Sequence, residues 1–192
     1  MYGSTVSTVS LDAVRPKDTD RDARLRRMVE AHFDVVWRTL KRLGAPDPDD
    51  AAQKVMLTAA TKLDVIEPAG ERGYLLGIAL RVASDARRAA GRRIDVADGG
   101  ESEEAGGGSE AVPLPDALLD EKRAREVLAR ALDRLTPDLR DAFVLFELEE
   151  LSASEVASLL EVPEGTVASR VRRAREQIRA SLERWSKSGV KR

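Results

Sequence analysis

Residues 152–175 read SASEVASLLEVPEGTVASRVRRAR, and this stretch decides the fold. It opens on Ser152-Ala153-Ser154-Glu155, a capping box in which the Ser and the Glu satisfy free N–H groups at a helix start. A short helix to about Leu160 follows, then a tight turn over Glu161-Val162-Pro163-Glu164-Gly165. A longer helix runs to about Trp185, with Val167, Val171, Ala174, Ile178 and Leu182 on one stripe. Ala157 is small enough to let the two helices approach, and Val162 and Val167 can fill the corner between them. Short helix, turn and longer basic helix make a helix-turn-helix pattern.

Working outward, a helix over about 118–134 precedes Thr136-Pro137, which caps and starts another carrying Phe143, Leu145, Phe146 and Leu148. Further upstream, Leu25, Met28, Val29, Phe33, Val36, Trp37, Leu40 and Leu43 recur at helical spacing, and Gly44 stops that helix. Asp47-Pro48 starts a second helix with Ala51, Ala52, Val55, Met56, Ala59 and Leu63 on one face. Pro68 and Gly70 mark a loop. A third helix from about Glu71 to Arg93 turns Tyr74, Leu75, Ile78, Val82 and Ala86 inward. His32 reads as a helix residue in the core. No stretch shows sustained strand alternation.

Between these groups, Asp95 to Asp116 holds five glycines, two prolines and seven acids, a composition that cannot bury a core and reads as a self-repelling linker. The expectation is therefore an all-α chain of two small helical domains joined by a flexible acidic linker. The expected boundaries are a disordered tail at 1–20, a helical bundle at 21–93, the Gly-rich linker at 94–117, a four-helix helix-turn-helix domain at 118–185 and a basic tail at 186–192.

The 192 residues include 32 Lys plus Arg, 34 Asp plus Glu, one His and no Cys. Without Cys there is no disulfide, thiolate metal site or cysteine nucleophile, and His32 alone supports neither a His-rich metal site nor a Ser-His-Asp triad. No cofactor is expected. No apolar run suggests a membrane span and the first 20 residues lack a secretory apolar core, so the expected compartment is the cytoplasm. The formal net charge of −2 hides its distribution. Residues 21–93 carry net +5, 94–117 net −7, 118–165 net −6 and 166–192 net +7. Such asymmetry points to nucleic acid or an acidic partner, or else to ordinary solvated helix faces.

The helix-turn-helix sharpens that choice. Thr166, Ala168, Ser169, Arg170, Arg172 and Arg173 lie off the apolar stripe near the start of the last helix, where a major groove would meet them. Arg can bond guanine through two N–H groups at once, and Arg175 and Arg179 with the helix-start N–H groups can hold phosphates.

Glu155 to Arg175 resembles region 4 of the bacterial extracytoplasmic function (ECF) sigma factors, whose pattern is E-I-A, a small residue or two, then V-P-x-G-T-V-x-S-R-hydrophobic-x-R-A-R. Leu135-Thr136-Pro137 matches the L-T-P that precedes it. Asp49-Asp50-Ala51-Ala52-Gln53-Lys54-Val55-Met56-Leu57 is similar to the family's E-D-L-V-Q-E-V-F-L in region 2, and Arg72 to Asp85 resembles R-A-W-L-Y-R-I-A-R-N-L-A-L-D. Lys54 stands where the family usually has an acid, Arg81 where it has Asn, and Tyr74 where it has Trp. Tyr74 is read as core rather than as a platform for a base.

The resemblance implies a promoter-specificity subunit with no enzyme activity. Its partners would be core RNA polymerase, through the β′ clamp coiled coil and the β flap, promoter DNA, and an anti-sigma factor. Asp50, Gln53 and Lys54 would meet the polymerase. Arg72, Arg81, Arg87 and Arg88 would meet the −10 element, with a flipped base held by the loop from about Asp64 to Glu71. Thr166, Ala168, Ser169, Arg170, Arg172, Arg173 and Arg175 would meet the −35 element, and the acidic part of region 4 would face away from DNA. The linker would thread the polymerase cleft toward the RNA exit path, so that neutralising its acids changes abortive initiation or promoter escape. Two other readings remain open: a stand-alone helix-turn-helix regulator, and a degenerate sigma-like adaptor or decoy.

Overall fold

The computed structural model describes residues 16–96 and 116–189, all of whose regular structure is helical. Residues 1–15, 97–115 and 190–192 lie outside the described residues; they hold most of the expected tail and linker, including Asp98, Glu101, Glu103, Glu104 and Glu110. Helix α1 (Pro16–Arg42) starts inside the stretch expected as tail. Helix α3 (Glu71–Val96) runs into the stretch expected as linker, and so does the start of α4 (Asp116–Asp133).

The first cluster is α1, α2 (Pro48–Thr61) and α3, packed on one another. Helix α1 ends because Gly44 adopts φ +78°, a left-handed conformation that costs glycine little and closes a helix end. Asp47 then caps α2 by accepting from the Asp50 N–H, and Pro48 occupies the first turn, where no N–H is needed. Met28, Val36, Leu40 and Leu43 of the first helix and its C-terminal turn meet Val55, Ala59, Leu75, Leu76 and Ala79 in the buried core. Leu63 is buried as expected, but in a one-turn 3-10 helix (Leu63–Val65) rather than in α2.

Two residues expected in the core lie outside it. Tyr74 is exposed, because the buried arc of α3 starts one residue later, at Leu75, and runs on through Leu80. His32 is half-buried at the rim rather than in the core, with Nε2 3.8 Å from a carboxylate oxygen of Glu71.

The second cluster is α4, α5 (Pro137–Phe143), α6 (Ala153–Leu160) and α7 (Glu164–Gly189). Thr136 stands at the N-cap of α5, but its side chain makes no capping bond. Helix α5 continues into a π-helical turn over Val144–Leu148 that no residue pattern predicts, where the Glu149 N–H reaches back to the Val144 carbonyl at 3.0 Å. Across this turn Leu145 and Glu149 are buried, while Phe146, Glu147 and Leu148 between them are half-buried. Glu150 follows at φ 55°, and Leu151 turns back into the core.

Candidate nucleic-acid interface

The helix-turn-helix forms as the sequence predicts. The Ser152 hydroxyl accepts from the Glu155 N–H at 3.2 Å while the Glu155 carboxylate accepts from the Ser152 N–H at 2.8 Å, so both halves of the capping box are made. These bonds to Ser152 hold the Glu155 carboxyl below its usual range. Glu161 ends α6 in a left-handed conformation, φ 55°, and the chain needs only residues 161–163 to turn into α7. The turn is two residues shorter than expected, because Glu164 and Gly165 are already helical.

Val156, Val167, Val171, Ala174 and Ile178 are buried and fix the angle between the two helices; a fully buried aliphatic side chain stabilises by about 1.5–3 kcal/mol. Leu182, expected on this stripe, is 43 % exposed, and Ser181 takes the buried position beside it. At 100° per residue, Ser181 lies about 20° from the direction of Ala174 whereas Leu182 lies about 80° from it, so the serine and not the leucine continues the stripe.

The outer face of α7 carries the expected side chains. Ala168, Arg172, Arg173 and Arg175 are exposed, and Thr166, Ser169 and Arg170 are half-buried. Ser169 donates its hydroxyl to the Thr166 carbonyl at 2.9 Å, which turns the hydroxyl oxygen outward as an acceptor. Three of the four arginines lie on acids of the same unit: Arg170 on Asp138 at 3.0 Å, Arg172 on Glu176 at 3.3 Å, and Arg175 on Glu147. Exposed pairs of this kind are worth about 0–1 kcal/mol and give way readily to a polyanion.

The expected −10 arginines divide. Arg81 and Arg88 are exposed on α3, Arg88 with Asp85 at 3.4 Å. Arg72 and Arg87 turn instead toward the second cluster, where Arg72 meets Glu149 at 3.2 Å and Arg87 meets Asp141 at 2.8 Å. Two acids of the strip expected to face away from DNA therefore lie on the first cluster. The Asp64–Glu71 loop is drawn onto α1 by Arg24, which donates to the Ile66 carbonyl and lies 3.0 Å from the Glu71 carboxylate.

On α2, Asp50 and Gln53 are exposed on adjoining turns, and Lys54 lies 2.5 Å from Asp50, so the lysine partly neutralises the expected polymerase contact. Sequence reasoning missed Trp37 and Lys41 beside this surface. The indole N–H donates to Asp49 at 3.0 Å and the Lys41 ammonium sits 5.4 Å above the ring. The i, i+4 spacing of Trp37 and Lys41 was a visible signal for that pair.

Residues 125–178 match the family model of sigma-70 region 4. The ECF RNA polymerase sigma-E factor of Escherichia coli (strain K12) is 34% identical over 139 residues, covering 69% of this chain and 72% of that protein. The chain belongs to the ECF family of RNA polymerase sigma factors. The sigma factor is also 31% identical over 172 residues to the ECF RNA polymerase sigma factor SigE of Mycolicibacterium smegmatis, covering 83% of this chain and 62% of that one. Its fold resembles the sigma factor RpoE from Bartonella quintana, solved with the anti-sigma factor NepR, at a TM-score of 0.64 and 23% identity, over 87% of this chain and 98% of that chain. It also resembles CnrH, solved with the cytosolic domain of CnrY, at a TM-score of 0.57 and 23% identity, over 83% and 87% of the two chains. As a member of this family the sigma factor binds core RNA polymerase and directs promoter recognition; it is a specificity subunit and not an enzyme. Among the described residues no helix is long and apolar enough to cross a membrane.

Proposed function

We propose that residues 21–93 act as region 2 on the −10 element and residues 118–185 as region 4 on the −35 element. The observation that carries this is the capped helix-turn-helix, whose second helix presents Ala168, Ser169, Arg170, Arg172 and Arg173 opposite a buried valine stripe. A helix so presented fits a major groove, with Arg170 and Arg173 reaching base edges and Thr166 and Arg175 holding phosphates. Arg72, Arg81, Arg87 and Arg88 supply the positive charge that unstacked −10 DNA requires.

Asp50, Gln53 and Lys54 form the contact with the β′ clamp coiled coil, with region 4 on the β flap. The site of action is the cytoplasm, where the polymerase works. An anti-sigma factor is a further partner, in line with the Bartonella quintana sigma factor RpoE, solved with the anti-sigma factor NepR.

The test is run-off transcription with core polymerase on promoters altered in one block at a time. Arg170→Ala should lose discrimination at the upstream block only, and Arg81→Ala at the downstream block only. Equal effects of both variants on both blocks overturn the assignment of one unit to each element.

A further inference from the structure

Helix α1 reaches the loop between α2 and α3 through one stripe of side chains. Arg21, Arg24, Met28 and His32 follow one another at steps of three, four and four, which keeps them on one side of the helix. Met28 is buried in the core, and the other three meet the loop and its ends. Arg21 Nη2 donates to the Ala60 carbonyl at 2.6 Å, near the end of α2, and its Nε lies 3.6 Å from Asp64. Arg24 Nη2 donates to the Ile66 carbonyl and lies 3.0 Å from Glu71 Oε1, which its Nε approaches at 3.4 Å. The other Glu71 oxygen faces His32 Nε2 at 3.8 Å.

Arg24 therefore spans the loop. One guanidinium holds the connection at Ile66 and the first residue of α3, Glu71. This pair is largely removed from water, with side chains 27% and 13% exposed, whereas Arg21 and Asp64 are 39% and 78% exposed. Leu63 and Ile66 are buried. The residues beside these anchors face outward: Val65 is 74% exposed, and Glu67, Pro68, Ala69 and Gly70 are exposed too. The Gly70 N–H closes their turn on the Glu67 carbonyl at 2.9 Å, a bond within the loop that does not fix where the loop sits.

We propose that Arg24 is the positioning residue of this loop, fixing Val65 and residues 67–70 where an unstacked −10 base is received. The proposal rests on the −10 reading of the loop. A loop held in place before the base arrives accepts only a base that fits it. A loop free to move adjusts to several bases and loses the difference between them. Arginine suits the task, because its planar fork serves a carbonyl and a carboxylate at once, whereas a lysine ammonium is a point charge on a flexible stem.

The test uses the full-length chain with core polymerase and promoters carrying each base in turn at every −10 position. Arg24→Lys is the decisive variant: it keeps a positive charge beside Glu71 and removes the fork, whereas Arg24→Ala strands a buried carboxylate. In Arg24→Lys the run-off yield from the best base relative to the worst should fall about five-fold or more. The fluorescence of 2-aminopurine placed at the unstacked position should fall with it. Discrimination at the −35 block should stay at the wild-type level. Arg21→Ala, whose partner acid is exposed, should lose less.

Unchanged −10 discrimination in Arg24→Lys overturns the proposal, and so does an equal loss at the −35 block, which marks general damage. The triple variant Val65→Ser/Glu67→Ser/Ala69→Ser isolates the underlying reading. If it keeps wild-type −10 discrimination, the loop does not read the −10 element and the proposal falls with that reading. If it loses discrimination while Arg24→Lys keeps it, the loop reads the base without Arg24, and the positioning role alone is wrong.

Discussion

Glu149 lies 2.9 Å from Arg42, a residue 107 positions earlier in the chain, and its carboxylate is almost wholly removed from water. A buried carboxylate is tolerated only where its charge is matched, and here Arg42 and Arg72 both match it. Glu149 closes the π turn that follows α5, and its side chain meets α1 at Arg42 and α3 at Arg72. One carboxylate and two arginines thus tie the two helical clusters together.

Gly44→Ala should be among the most damaging small substitutions in the chain. Its φ of +78° strains any L side chain, and the added carbon meets Arg140. A loss of about 1–3 kcal/mol is expected in urea denaturation, with Gly73→Ala, where nothing lies within 4 Å, as the mild control. Equal midpoints for the two variants would contradict the close approach.

Asp141 should impose a pH dependence on stability. Desolvation pushes its carboxyl above the ordinary range, against the hydrogen bond and charge of Arg87 and the charge of Arg140. A raised folded-state value means that the folded chain holds the proton more tightly than the unfolded one. The relative stabilisation is present at low pH and is lost as pH rises from about 4 through the raised value. Asp141→Asn should therefore gain on the wild type as pH rises across that window, read from urea midpoints at each pH. A constant difference would show that burial does not control this group.

The capping box gives the opposite sign. Glu155 has a lowered value because it accepts hydrogen bonds from Ser152, so its contribution is present at neutral pH and is lost as pH falls through the folded-state value. Ser152→Ala should cost about 1 kcal/mol at pH 7 and progressively less below about pH 4. Thr136→Ala, whose side chain makes no capping bond, should cost less at neutral pH.

For the −35 surface, Arg170→Ala and Arg173→Ala should each weaken binding by about 1–3 kcal/mol where base contacts are bidentate. Arg170 is held on Asp138 in the free protein, so Asp138→Asn should tighten −35 binding and leave Arg173→Ala as damaging as before. Fluorescence anisotropy at several salt concentrations checks both. Wild-type affinity and salt slope in the two arginine variants would sink the assignment.

Much of the architecture was legible because several helices carry a local signal at one end. Gly44, Asp47-Pro48, the capping box at Ser152 and Glu155, and the valine stripe of α7 are local signals, and the structure uses each of them. Tyr74, Leu182 and the register after Phe143 were not legible, for a common reason. A helical stripe defines a face only to within a residue, and tertiary packing chooses the phase. The exposed arginines of α7 could be placed from spacing alone. The burial of Arg87 against Asp141 could not, because it joins residues 54 positions apart in different clusters. Segment charges carried its outline, since the +5 and −6 blocks had to lie somewhere, but not the pairing.

The most direct test of the central claim is in vitro transcription with core RNA polymerase and this chain on a randomised promoter library. The account predicts initiation that depends on the added chain and enriches a two-block motif, with Arg170→Ala relaxing the upstream block. Transcripts independent of the chain, or a single block read without polymerase, would contradict it.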